Sequence, residues 1–273
     1  MNILYCGDSN IKDGLLISIL SLIKNTNGPF KIYVLTADIK TSQKEYYPID
    51  DRTIKYLDSI LKKSNQQNNI NKIDITNLFD SNKPTANMQT IFTPGCMLRL
   101  YADQVSLLPA RILYLDTDVI CRKDFSDYYY QNLNGYEVAG VLDYYGKWLF
   151  HNCITSFDYL NSGIMLLNLE MIRRTGLFRK CRTMCRNEKM FMPDQSSLNK
   201  LTTTKKVCGR RFNEQRKLHK NTVFQHFTTS FRLFPWIHTL TVKPWQVDEM
   251  HSKLGLYEYD SILNQYQNLK ENL

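Results

Sequence analysis

Four short apolar runs, Ile3 to Cys6, Ile32 to Thr36, Ile70 to Ile75 and Ile112 to Leu115, alternate with three segments whose apolar positions recur at helical spacing, Gly14 to Lys24, Tyr46 to Lys63 and Met97 to Leu107. That order, βαβαβαβ, constrains the fold more than any other feature. Strands joined through helices pair in parallel, and a parallel sheet must be covered by helices on both faces, so the chain is expected to form a doubly wound α/β sheet. Sheets of this kind bind ligands in the crevice beyond the carboxyl ends of their strands. Further strands are expected at Val138 to Leu142 and Ile164 to Leu169, a basic helix from Met171 to about Glu188, and a terminal helix over Leu254 to Leu273. The Asn/Gln-rich stretch from Ser64 to Asn71 reads as a surface loop.

The chain has 273 residues, 43% of them hydrophobic, which is enough for one large domain over 1–250 with a helical extension over 251–273. The longest apolar run, Leu15 to Ile23, is interrupted by Ser18 and Ser21 and falls short of the ~20 residues a membrane span needs. The N-terminus opens on a strand-like run without the features of a signal peptide, which predicts a cytoplasmic protein. Seven cysteines form no CxxC pair, and the odd count argues for packed thiols rather than a disulfide framework.

The formal charge of +9 is concentrated between Glu170 and Lys220, where fifteen Lys and Arg face Glu170, Glu188, Asp194 and Glu214. Such a segment suits phosphate-rich ligands, anionic lipid headgroups or nucleic acid, or is simply a solvated helical face. Nucleic acid is the least favoured and is not expected as a partner, because no RNA- or DNA-reading motif accompanies the charge. Peripheral contact with the inner face of an anionic membrane is the more natural expectation.

The sharpest chemical signal is Arg111-Ile112-Leu113-Tyr114-Leu115-Asp116-Thr117-Asp118, an apolar strand ending in two carboxylates two residues apart. Alternate side chains at a strand end share a face, so the pair converges on one hard cation, and that cation can bridge to a diphosphate leaving group. In isolation such a pair is more often a surface loop. Its place in a doubly wound fold favours the metal reading. Haloacid dehalogenase-type phosphotransferases also end a strand in Asp-x-Asp, but theirs closes the first strand.

Taken together the motifs resemble glycosyltransferase family 8. They are Ile3-Leu4-Tyr5-Cys6-Gly7-Asp8-Ser9-Asn10, then Leu98-Arg99-Leu100-Tyr101-Ala102, Tyr114-Leu115-Asp116-Thr117-Asp118, Tyr159-Leu160-Asn161-Ser162-Gly163, Asp194-Gln195-Ser196-Ser197-Leu198-Asn199 and His226-Phe227-Thr228-Thr229. All six occur in the family's order over roughly residues 1 to 245. The resemblance implies a GT-A fold, Rossmann-like with a mostly parallel central sheet, and a retaining transferase moving glucose or galactose from a UDP-sugar to a saccharide, lipid-linked glycan or glycoprotein acceptor. It implies Mn²⁺ or Mg²⁺ held by Asp116, Asp118 and His226. It also implies nucleotide or sugar contacts at Asp8, Asn10, Arg99 and Ser162, and reacting-end roles for Asn161, Asp194 and Gln195.

Each of these residues has a plainer reading. Asp8 is also placed to cap the following helix, Arg99 to lie on a helix surface, and His226 to be a satisfied core residue. The family's phosphate-binding lysine has two counterparts, Arg232 in register and Lys243 in an intact Lys243-Pro244-Trp245 after an aromatic insertion from Phe231 to Leu240. Lys243 is favoured. Two other functions stay in view: a non-catalytic nucleotide-sugar-binding domain, and a metal-dependent nucleotidyltransferase. The second would need a Gly-rich basic loop after the first strand, where Gly7 to Gly14 has only two glycines.

Overall fold

A computed structural model describes residues 1–89, 94–144, 146, 158–232 and 238–273. Its centre is a seven-stranded sheet of order β10-β8-β9-β6-β1-β2-β5, built from β1 (Asn2–Cys6), β2 (Lys31–Thr36), β5 (Asn69–Asp74), β6 (Arg111–Leu115), β8 (Val138–Leu142), β9 (Leu160–Asn168) and β10 (Lys205–Cys208). All neighbouring pairs are parallel except those of β9, which runs antiparallel to both β6 and β8. Two-stranded ribbons surround it: β3 (Ile39–Lys40) with β4 (Glu45–Tyr46), β7 (Val119–Cys121) with β11 (Phe224–His226), and β12 (Ser230–Arg232) with β13 (His238–Leu240).

The central strands β1, β6, β8 and β9 are buried on both faces, as their near-continuous apolar sequences require. Ile3, Tyr5, Leu113 and Leu115 pack to one side, Leu4, Ile112 and Tyr114 to the other. Helix Lys12–Asn25 lies on the first side with Leu15, Leu16, Ile19, Leu20 and Leu22 buried. Helix Asp260–Leu269 joins the same core through Ile262, Leu263 and Tyr266, and the Tyr266 hydroxyl donates to Asp13 at 2.6 Å.

Several element boundaries depart from the periodicity. The second helix begins at Asp51 and not at Tyr46, because Pro48 holds its predecessor extended and the Asp50 carboxylate caps the backbone of Thr53 at 2.8 Å. The segment expected as a helix over Met97 to Leu107 is a 3-10 helix, Pro94–Gln104. The basic helix is two helices, Leu169–Thr175 and Leu177–Asn187, divided at Gly176, whose φ of 68° is left-handed. The Ser64 to Asn71 loop gives way to β5 at Asn69. No helix among the described residues is long and apolar enough to cross a membrane.

Candidate active site

The site forms where three strand ends meet. Asp116 follows β6, and its backbone N–H donates to the Gly163 carbonyl in β9 at 2.8 Å. Asp118 precedes β7, which pairs with β11 so that Val119 faces His226; the Phe227 N–H then donates to the Asp118 carbonyl at 3.0 Å. These backbone bonds gather residues more than a hundred positions apart. Ligand atoms of Asp116, Asp118 and His226 lie within 4.8 Å of one another, with His226 Nε2 at 3.6 Å from Asp116 Oδ2 and 3.3 Å from Asp118 Oδ1. Gly163 floors the cluster: a Cβ there would sit 2.1 Å from His226 Cε1 and 2.7 Å from Asp116 Oδ2.

Hydrogen bonding determines which face His226 turns to the two carboxylates. The Asp143 carboxylate can only accept, and it takes Asn161 Nδ2 at 2.8 Å and Gln195 Nε2 at 3.2 Å. Asn161 Oδ1 is therefore its acceptor end, taking Asn213 Nδ2 at 2.9 Å and the Gly163 N–H at 3.0 Å. Asn213 Oδ1 is in turn left to accept from His226 Nδ1, 3.3 Å away. In the neutral ring the Nε2 lone pair then points at two carboxylates. Three acceptors facing one another repel unless a cation lies between them, and Asp118 Oδ1 is buried without a hydrogen-bond partner. Two carboxylates and one imidazole fit a divalent ion such as Mn²⁺ and leave positions open for phosphate oxygens.

Positive charge is gathered around the two carboxylates of the cluster. Burial alone would raise the Asp118 pKa, but the Lys243 ammonium, bonded to Oδ2, holds it below the ordinary carboxylate range. Lys243 Nζ also donates to the Phe227 carbonyl at 2.9 Å. Arg99 is not a surface arginine: it is 4% exposed, stacked over the Tyr114 ring and paired with Asp116 at 2.9 Å and Asp194 at 3.4 Å. Burial would lower its pKa, yet Asp116 beside it raises it well above the usual value, so it stays charged. Burial pushes the Tyr114 hydroxyl well up, leaving it a neutral donor to Asp116 at 2.5 Å.

Gln195 and Asp194 open helix Pro193–Leu201 and reach β9 from its other side. Gln195 Oε1 accepts from the Ser162 N–H at 2.9 Å, and the Ser162 hydroxyl donates to Asp194 at 3.1 Å. Asn161, Ser162, Asp194, Gln195, Arg99, Lys243 and the metal cluster thus converge in one place. Asp8 lies at the end of β1, the strand beside β6, and its carboxylate accepts from the Asn10 backbone N–H at 2.8 Å, so the capping alternative holds for Asp8 in this state. Lys243 Nζ bonds Asp118 in the cluster, and Arg232 lies in β12, opposite His238. Residues 233–237 of the aromatic insertion from Phe231 to Leu240 lie outside the described residues.

Asp143 and Asn213 were not legible beforehand. Asp143 follows an ordinary apolar strand and Asn213 sits in an irregular basic stretch; neither belongs to a repeated spacing, and only their shared contact with Asn161 marks them.

Comparison with known proteins agrees with this geometry. The glycosyl transferase family 8 model matches residues 2–249. A lipopolysaccharide 1,2-glucosyltransferase of Escherichia coli K12 is 26% identical over 216 residues, 74% of this chain and 58% of that protein. Among solved structures, the galactosyltransferase LgtC, crystallised with donor and acceptor sugar analogs, superposes with a TM-score of 0.73 at 17% identity over the whole of both chains. The glycosyltransferase GlyE of Streptococcus pneumoniae TIGR4 superposes with a TM-score of 0.62 at 16% identity, over 97% of this chain and 63% of its own. The fold is GT-A, and the chain belongs to glycosyl transferase family 8.

Proposed function

We propose that the chain is a retaining hexosyltransferase that takes glucose or galactose from a UDP-sugar and delivers it to a saccharide or glycan acceptor. The observation that carries this reading is the inward-facing set of Asp118 Oδ1, Asp116 Oδ2 and His226 Nε2, three ligand atoms gathered within 4.8 Å of one another. Bound there, Mn²⁺ or Mg²⁺ would neutralise the diphosphate as it leaves. Lys243 adds a second positive charge once the phosphates draw it from Asp118. Asp8 and Asn10 contact the nucleoside. Asn161, Ser162 and Asp194 hold the sugar hydroxyls, and Arg99 orients Asp116 and Asp194 through its two ion pairs.

Gln195 shapes the choice of mechanism. Its carbonyl oxygen already accepts from Ser162, and a neutral amide is a weak nucleophile, so substitution on one face of an oxocarbenium-like centre is favoured over a covalent glycosyl-enzyme. A hexosyl adduct on Gln195 or Asp194 in a mass spectrum would overturn that step. A cytoplasmic location at the inner membrane face fits the exposed Arg174, Arg179, Lys180 and Arg186 of the two basic helices. Salt-sensitive sedimentation with anionic vesicles tests it; equal sedimentation with neutral vesicles counts against it.

UDP release from a panel of UDP-hexoses, with Mn²⁺ or with chelator, tests the main reading without knowledge of the acceptor. One donor is expected to be hydrolysed slowly, only with metal, and not by Asp118→Ala. Metal-dependent UDP binding without turnover of any donor would favour the non-catalytic binding domain, and release of pyrophosphate the nucleotidyltransferase.

A further inference from the structure

A cleft of about 710 Å³ lies beside the metal cluster, lined by His226 to Thr228, Val242 and the run from Glu214 to His219. A second cavity of about 320 Å³ shares Tyr144, Arg210, Glu214 and Gln215 with it and reaches Asp143 and Asn213. Those two residues bond Asn161, Gln195 and His226, so the space runs from the reacting end of the site outwards. Asp8, Asp116, Asp118 and Lys243, on the donor side, line neither cavity.

The outer part of this space is strongly positive. Arg210, Arg216, Lys217 and His219 line it with one carboxylate, Glu214, which is buried and already faces Arg210 at 3.2 Å and His219 at 2.9 Å. No carboxylate pairs with Arg216 or Lys217 among the described residues. Arg216 stacks on the Tyr144 ring, 4.3 Å from its centroid, and bonds its hydroxyl, so the guanidinium is restrained before any ligand arrives. A neutral sugar gains only single hydrogen bonds to its hydroxyls from two such cations and leaves their charge unmatched. A phosphate gains charge-assisted, bidentate hydrogen bonds.

Resting on the transferase reading above, we propose that this cleft is the acceptor site and that the acceptor is a phosphorylated saccharide, its phosphate held by Arg216 and Lys217. Its free hydroxyl enters toward Asp143. In the transfer, that hydroxyl oxygen bonds to the anomeric carbon as the bond from this carbon to the β-phosphate oxygen breaks. UDP leaves with the bonding electron pair and takes up the hydroxyl proton.

Calorimetric titration of methyl glucoside 6-phosphate and of methyl glucoside, with UDP and Mn²⁺ saturating, tests the assignment in the wild type and in the double variant Arg216→Ala, Lys217→Ala. The phosphorylated probe is expected to bind about tenfold tighter or better, and the advantage to vanish in the variant and in high salt while UDP affinity is unchanged. Equal binding of the two probes, or an advantage that survives in the variant, overturns it. The same titration without nucleotide separates the two readings, since failure of UDP to bind leaves the phosphate preference measurable. Vesicles containing phosphatidylglycerol supply the last arm. Competition with the soluble probe points to a lipid-borne phosphate and its absence to a soluble or polymer-borne one, whereas vesicle binding through Arg216 and Lys217 with no phosphosugar preference makes the cleft a headgroup site and overturns the proposal.

Discussion

Gly163 and Asn213 govern the metal cluster without contributing a ligand atom. For Gly163→Ala, the new methyl would need the space held by His226 Cε1, 2.1 Å away, and the ring cannot retreat without leaving Asp116 and Asp118. Overpacking of this kind costs about 1–3 kcal/mol. The expected outcome is a protein that still folds, with a modest fall in the urea midpoint, but with Mn²⁺ binding abolished in a calorimetric titration. Asn213→Ala removes the acceptor that keeps the proton on His226 Nδ1. Loss of such an outer partner usually weakens metal binding about 10–100-fold. Electron paramagnetic resonance of free Mn²⁺ against added protein reads this directly, and an unchanged affinity would show that the tautomer is set by something other than the Asp143–Asn161–Asn213 relay.

Helix Leu177–Asn187 shows how one element carries both charge and core. Arg182 is buried and paired with Asp103 at 2.5 Å, so part of the basic segment is internal structure rather than a binding face. Cys181 and Cys185 lie on the buried side, and burial pushes their thiols up to about 12 and about 11. Because the folded values exceed the ordinary thiol value of 9.0, the stability these groups contribute is fully present below pH 9 and is lost as pH rises towards 11 and 12. Native protein should therefore resist alkylation at both positions at pH 8. Its melting temperature should fall as pH is raised from 9 to 11, by less in Cys185→Ala than in the wild type. Peptide mapping after brief iodoacetamide treatment and a pH series of thermal melts check the two parts. The periodicity that located this element could not show its break at Gly176, because the apolar spacing runs on across the glycine and only the backbone turns. Strands were easier to read for the converse reason: in a sheet buried on both faces, Ile3 to Cys6 and Ile112 to Leu115 must be apolar throughout. Their carboxyl ends then locate Asp8, Asp116 and Asp118. The antiparallel entry of β9 is a matter of long-range pairing and leaves no local trace.

At the scale of the whole molecule, the site depends on a core that the C-terminal segment completes. A chain read in order suggests a catalytic unit over 1–250 and an appended helix. Helix Asp260–Leu269, however, buries Ile262, Leu263 and Tyr266 in the same cluster as Leu15, Leu16 and Leu20 of helix Lys12–Asn25, and the buried Tyr259 hydroxyl donates to Gln225, next to His226, at 2.6 Å. Each fully buried side chain of this size contributes about 1.5–3 kcal/mol, against a total stability of roughly 5–15 kcal/mol for a domain. Removing residues 256–273 should therefore cost a large share of the stability and not merely trim a tail. The expected result is a truncated protein that melts at a much lower temperature, binds hydrophobic dye, and recovers partly when Mn²⁺ and UDP are added, since ligands that bind only the folded state shift it by mass action. A truncation that melts as the full chain does would mean that residues 1–255 hold the site alone, and that the contact between Tyr259 and Gln225 is incidental to it.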